Sequence, residues 1–206
     1  MSKQNLLIIF TKNPVAGKVK TRLAKDIGDE NALEIYKFLL EHSFNITSPL
    51  KTTKQVHYSE EIPDHDLWDQ GDFTKRLQYG DDLGIRMENA FRKGFEEGYE
   101  KIVIIGSDLF ELKTSDIAEA FSALSDNDYV IGPAEDGGYY LLGMNKLNTE
   151  VFRNKSWSTS SVFADTLKDI KNSRVKHLPI QNDIDVLDDI EDHPAFKKFL
   201  KYDRQN

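Results

Sequence analysis

Short apolar runs alternate along the chain with longer stretches whose apolar residues recur every three or four positions. Residues 6–10, 102–105, 129–131 and 139–142 are dense in Ile, Val, Leu and Tyr, which predicts buried strands. Residues 55–58, 76–79 and 174–178 are weaker strand candidates. Between them the period changes. Over 32–44, Leu33, Tyr36, Leu39 and Leu40 share one helical face, and over 83–95, Met87, Ala90, Phe91 and Phe95 do the same. Residues 116–124 and 162–170 repeat the pattern, and 195–200 is expected to close the chain as a last short helix. Alternating strands and helices predict a single α/β domain over 1–206, with a mainly parallel sheet and helices on both faces. Ligands bind beyond the carboxyl ends of such strands, so the loops after Phe10, Ile105 and Ile131 are expected to converge. The Asp-rich stretch 60–74, with Trp68 and Phe73, reads as a surface excursion, and the polar end 197–206 as a fraying tail.

Composition narrows the function. With 206 residues, 39% hydrophobic and 30% charged, the chain can build a packed core. No apolar run reaches the length of a membrane span, and residues 6–10 are too short for the core of a signal peptide. No cysteine is present, which removes disulfides and thiolate chemistry. A cytoplasmic protein is the expectation. The formal net charge of -8 argues against a general nucleic-acid binder. Yet no acidic residue occurs before Asp26, so the first segment is wholly basic. A local basic loop in an acidic protein suits a small anionic ligand.

Four segments carry candidate chemistry. The first is Pro14-Val15-Ala16-Gly17-Lys18-Val19-Lys20-Thr21-Arg22, between a strand and a helical pattern. Gly17 permits close backbone approach to an anion, Lys18 and Lys20 supply charge, and Arg22 can grip two oxygens at once. It is not a Walker A loop: Lys12 stands where the first glycine should be, and Val19 replaces the magnesium-holding Ser or Thr. The second is Ile105-Gly106-Ser107-Asp108, which puts a carboxylate just past a buried strand, where magnesium finds oxygen ligands. Thr114-Ser115-Asp116 is the better helix start and leaves Asp108 free for a metal. The third is Gly132-Pro133-Ala134-Glu135-Asp136-Gly137-Gly138-Tyr139-Tyr140, readable as a hairpin turn, as a ligand loop, or as both. The fourth, Asp183-Ile184-Asp185 and the acids to Asp189, reads first as a solvated helix start and second as a source of another metal ligand. The five histidines show no metal-ligand spacing.

In this order the segments resemble the DUF2064 family, often described as glycosyltransferases of the nucleotide-diphospho-sugar transferase superfamily. The resemblance rests on residues 14–23, Asp-Leu-Gly-Ile-Arg-Met at 82–87, Ile-Gly-Ser-Asp at 105–108, and Gly-Pro-Ala-Glu-Asp-Gly-Gly-Tyr-Tyr-Leu-Leu-Gly at 132–143. Trp157-Ser158-Thr159 and the run 183–185 fit as well. The family is similar to molybdenum-cofactor and phospholactate nucleotidyltransferases. The resemblance implies a GT-A, Rossmann-like three-layer fold with nucleotide bound across its N-terminal half. It implies Asp108 and Asp185 as ligands for Mg2+ or Mn2+, and Arg22, Lys20 and Asp108 as catalytic residues. Pro14, Gly17, Lys18, Lys20, Thr21 and Arg22 would bind phosphates, and Asp136, Gly137, Gly138 and Tyr139 the sugar or acceptor. Phe110 stands where family members often carry proline.

Two reactions fit. One is glycosyl transfer from a nucleotide-sugar, with the metal holding the departing diphosphate. The alternative is nucleotidyl transfer, in which an acceptor phosphate attacks the α-phosphorus of an NTP and pyrophosphate leaves. The resemblance favours the first and the basic loop the second. A lesser alternative is a non-catalytic nucleotide-binding protein. Clustered carboxylates repel, so Asp108→Asn is expected to leave stability unchanged or slightly raised.

Overall fold

The computed structural model describes residues 3–200. Its centre is one seven-stranded sheet in the order β3-β2-β1-β4-β6-β5-β7. The strands are β1 (Lys3–Thr11), β2 (Thr53–Tyr58), β3 (Thr74–Leu77), β4 (Tyr99–Gly106), β5 (Tyr129–Pro133), β6 (Tyr139–Met144) and β7 (Val175–His177). Only β6 runs against the rest: it pairs antiparallel with β4 and β5, while the other pairings are parallel. The helices are α1 (Thr21–Ile27), α2 (Asp29–Thr47), α3 (Leu83–Glu96), α4 (Thr114–Ala123) and α5 (Val162–Asp169).

Period-two alternation in the central strands sorts the core into two faces. Leu7 and Ile9 of β1, with Val103 and Ile105 of β4, pack under α2 and α4. Leu6 and Ile8, with Ile102 and Ile104, pack under α3 and α5. β1 and β4 therefore read as continuous apolar runs because both of their faces are covered. A third apolar cluster lies away from the sheet, between α1, α2 and the C-terminal segment.

Three sequence-based expectations change. Residues 195–200 form consecutive turns rather than a helix. Phe196 N–H donates to the His193 carbonyl and Phe199 N–H to that of Phe196, so both rings point into the third cluster at three-residue spacing. Residues 201–206 of the expected fraying tail lie outside the described residues. The stretch 60–74 is mostly exposed or half-buried, but it is anchored in the core by one residue. Trp68 is buried and packs edge-on against Phe44 and Phe73. Lys75 bridges Asp66 and Asp69 at 2.9 and 2.7 Å, and the Tyr58 hydroxyl donates to Asp66. β3 begins at Thr74 and ends at Leu77, two residues ahead of the expected span. The chain leaves the sheet because the Gln78 amide turns inward and donates to the carbonyls of Thr11 and His57. Among the described residues, no helix is long and apolar enough to cross a membrane.

His57 on β2 is buried, stacked on Phe10, and donates through Nε2 to Gln55 Oε1 at 3.0 Å. Burial, with the Arg76 charge adding, pushes its pKa down to about 4. The unfolded chain takes up a proton near pH 6.5 that the folded chain refuses until about pH 4. The penalty is absent above pH 6.5 and grows as pH falls between those values, at about 1.4 kcal/mol per unit. In urea titrations between pH 7 and pH 4.5, His57→Gln, which keeps a donor, should remove about one proton's slope from the stability profile. Identical slopes for the two proteins would show that His57 is not the titrating group.

Candidate active site

The site floor begins where β1 ends. Tyr36 of α2, with its ring in the core, lifts its hydroxyl to the carboxyl ends of β1 and β4. The oxygen lies 3.1 Å from Thr11 Oγ1 and 3.3 Å from Ser107 Oγ, and it accepts the Lys12 backbone N–H at 2.9 Å. Ser43, further along α2, donates to the Ser107 carbonyl at 3.0 Å. One helix thus fixes both loops, and Asp108 follows directly from Ser107. The basic loop is pinned on its other side by Asn13. The Asn13 side chain accepts the N–H groups of Glu60 and Glu61 and donates to the Glu61 carbonyl.

Lys20 is the residue on which the charges turn. It adopts a left-handed backbone (φ 48°) just before α1. That conformation is uncommon without glycine and costs on the order of 1 kcal/mol. It accompanies a side chain folded inward, only 4% exposed, with Nζ 2.8 Å from Asp108 Oδ2 and 4.0 Å from Asp185 Oδ1. Arg22 caps Asp185 from outside through Nη2. Burial works against the charged form of Lys20, but the charge and hydrogen bond of Asp108, with Asp185 and Asp183 adding, together raise its pKa. Burial likewise opposes ionisation of Asp108, and Lys20, then Lys12, more than offset it, so its pKa is lowered. Asp183 is pushed up to about 6 by burial and by the nearby Asp136 and Asp108, with Lys20 only partly compensating. The pairing argues for the opposite outcome in Asp108→Asn: removing the main partner of a buried ammonium is expected to lower stability.

Above these charges opens a cleft of about 340 Å3. One end is polar: Arg22, Asp108, Asp136, Asp183 and Asp185. The other is apolar: Phe10, Met87, Tyr139 and Trp157 among others. Two glycines shape the far wall. A Cβ on Gly84 would lie 2.4 Å from Trp157 Nε1, and one on Gly137 would lie 2.3 Å from the Ser160 carbonyl oxygen. Gly137 also holds a positive φ of 86° and accepts the Phe163 N–H, so the hairpin turn carries the loop 157–160 against the cleft. The Tyr139 hydroxyl donates to Met87 Sδ at 4.0 Å, and burial raises its pKa.

The structure brings Arg22, Asp108, Asp136, Gly138, Tyr139 and Asp185 to this one cleft, with Lys20 against Asp108. Pro14, Gly17, Lys18 and Thr21 do not line it, and Lys18 turns outward to Glu60 at 2.8 Å. Gly137 supports the wall from behind. Residues 134–138 are the hairpin turn between β5 and β6, and Ala134, Asp136 and Gly138 of that turn line the cleft. The acids at 183–189 divide their work. Asp183 and Asp185 face the cleft, while Asp189 accepts the N–H groups of Asp185 and Val186 and caps a short 3-10 turn. No site role for Tyr36 or Lys12 follows from the sequence, and Asp183 stands there only as a member of the acidic run 183–189. Asp183 was legible as the two-residue partner of Asp185 on an extended segment.

Among the described residues, no three His, Asp or Glu side chains already stand together as a metal cage. Magnesium does not require one: it takes one or two carboxylates and fills its octahedron with phosphates and water. Asp108 and Asp185 fit that requirement as hard oxygen donors.

A family model described as "Uncharacterized protein conserved in bacteria (DUF2064)" matches residues 47–159. No curated protein matches the chain. Among solved structures, a "putative nucleotide-diphospho-sugar transferase" from Desulfovibrio desulfuricans G20 is similar at 31% identity and TM-score 0.82, over 91% of this chain and 84% of that one. The 4-diphosphocytidyl-2C-methyl-D-erythritolsynthase from Anaerococcus prevotii DSM 20548 shares the fold at 11% identity and TM-score 0.63, over 96% of each chain. So does a CMP:2-keto-3-deoxy-manno-octonic acid synthetase complexed with CTP, at 10% identity and TM-score 0.56, over 91% of this chain and 95% of that one. With more than half of its length matched by the family model, and the Desulfovibrio protein alike over nearly all of it, the chain belongs to the DUF2064 family and has the GT-A, nucleotide-diphospho-sugar transferase fold.

Proposed function

We propose that the protein is a metal-dependent nucleotidyltransferase, which couples an NTP to a small phosphorylated acceptor and releases pyrophosphate. The observation that carries this reading is the pair of fixed cations, Lys20 and Arg22, set against Asp108 and Asp185 at the polar end of the cleft. An oxygen of the acceptor phosphate attacks the α-phosphorus. A new P–O bond forms as the α–β bridging bond breaks, and the electron pair leaves on pyrophosphate. That departure needs positive charge placed in advance, because cations already held in a partly dry site need no reorganisation. Lys20 supplies a compact charge, and Arg22 can hold two phosphate oxygens. Asp108 and Asp185 would hold Mg2+ or Mn2+, which when bound neutralises charge on the phosphates. The apolar end of the cleft, with Gly138 and Tyr139, would take the acceptor, and Asp136 would meet it from the polar side.

The solved structures that share the fold include enzymes named for cytidylyl chemistry, which supports the same direction. Glycosyl transfer from a nucleotide-sugar is the second reading, favoured by the name of the Desulfovibrio relative. Thermal-shift measurements with NTPs and nucleotide-sugars, each with and without Mg2+ or Mn2+, separate the two. Nucleotidyl transfer expects a metal-dependent shift with one NTP, followed by pyrophosphate release when an acceptor is supplied. A shift confined to a nucleotide-sugar would replace it with glycosyl transfer.

Asp108→Asn should lower turnover by on the order of 10^2-fold or more. It should also lower stability by on the order of 2 kcal/mol. A wholly buried pair would lose about 3–5, but Asp108 is 42% exposed and Asp185 remains near Lys20. Wild-type turnover in this variant would remove Asp108 from the site. Arg22→Lys should keep the fold and lose about tenfold in kcat/KM, since the two-oxygen grip is lost while the charge remains. Unchanged kinetics would mean that Arg22 acts only as a general positive charge.

A further inference from the structure

The third apolar cluster contains no strand residue: Leu23, Ile35, Leu39, Ile184, Ile190 and Phe196 form its buried part. Its members are nonetheless the chain neighbours of the charged groups at the site. Leu23 follows Arg22, Ile184 precedes Asp185, and Phe110 lies two residues beyond Asp108. We propose that residues 183–200 are a strap that positions the site, with Phe196 and Phe110 as positioning residues that set Asp185 and Arg22 against Asp108. This rests on the reading of that charged group as the phosphate and metal site.

Phe196 is fully buried, and its ring centroid lies 5.0 Å from Phe110, 5.6 Å from Phe38 and 5.3 Å from His193. Phe110 in turn lies 4.8 Å from His42 and 5.5 Å from Phe38 of α2. The aromatic ring at 110 thus joins the Asp108 loop to the strap. Polar links make the coupling stiff. Glu111 accepts the Asn182 N–H at 3.0 Å, and Asp189 accepts the Asp185 and Val186 N–H groups at 2.7 and 2.8 Å. A displacement of Phe196 is therefore passed to Asp185, and through the ion pair to Arg22. The sheet, whose two faces have their own core clusters, is not needed to transmit it.

The test uses full-length Phe196→Ala and Phe196→Leu, with Phe110→Ala as the milder second variant should Phe196→Ala fail to fold. Amide hydrogen exchange should show protection falling together in 183–190 and in α1, while the amides of β1 and β4 keep theirs. Affinity for Mn2+ with pyrophosphate, read by the Mn2+ electron-spin signal, should weaken about tenfold or more in the Ala variants and recover in Phe196→Leu. Wild-type affinity in the Ala variants, or protection lost evenly throughout the protein, would overturn the strap. If the wild-type protein does not bind Mn2+ with pyrophosphate, the transferase reading fails, and the exchange pattern alone decides whether the strap exists.

Discussion

The Lys20–Asp108 ion pair is the interaction around which the carboxyl edge of the sheet is arranged. Its ammonium is almost wholly out of water, which is unfavourable unless oxygens surround it. That requirement links segments far apart in sequence: the loop after β1 supplies the cation, the loop after β4 the main counter-charge, and the segment after β7 a further carboxylate. The sheet order places β1 beside β4 at the centre, so two of these loops emerge side by side. The Tyr36 hydroxyl then holds both loops to α2. A left-handed residue just ahead of a helix is tolerable here because the buried charge contact can offset its strain.

Much of the fold was legible because the central strands are buried on both faces. Residues 6–10 and 102–105 are apolar without interruption, and such runs admit few alternatives when flanked by long amphipathic segments. The 195–200 segment was misread because a spacing of three between apolar residues suits a helix and a chain of three-residue turns equally well. What separates them is tertiary: Phe196 and Phe199 turn toward Phe38 and Phe110, which no local pattern announces. Trp68 is a similar case. The acids around it marked an excursion, but its ring packs with Phe44, which lies on α2.

At the site, the sequence indicated which segments meet more readily than which atoms do. Motif order brought forward Arg22, Asp108, Asp136 and Asp185, which line one cleft. It grouped Lys18 with Lys20 among the phosphate-binding residues, whereas Lys18 pairs with Glu60 at the surface and Lys20 turns inward. Nothing in their spacing distinguishes them; the left-handed backbone at Lys20 does. Gly84 and Gly137 were visible only as motif members. Their reason is steric, since each leaves room for the loop 157–160.

The balance of charge connects this arrangement to the proposed chemistry. Asp108, Asp136, Asp183 and Asp185 face the same cleft, and the nearby cations are Lys12, Lys20 and Arg22. The carboxylates outnumber the cations, and Asp136 and Asp108 add to burial in raising the pKa of Asp183. A polyphosphate entering such a site adds negative charge to a region already short of positive charge. It is held only if Lys20 and Arg22 share themselves with it, and then Asp108 and Asp185 lose part of their own neutralisation. On the proposed reading a divalent cation bound at the same time would reduce both deficits, because its hard oxygen preference is met by carboxylates and phosphates alike. The acidic cleft and the basic loop are therefore not competing signals. On the proposed reading both belong to one site, where carboxylates would hold the metal and the fixed cations would meet the phosphates.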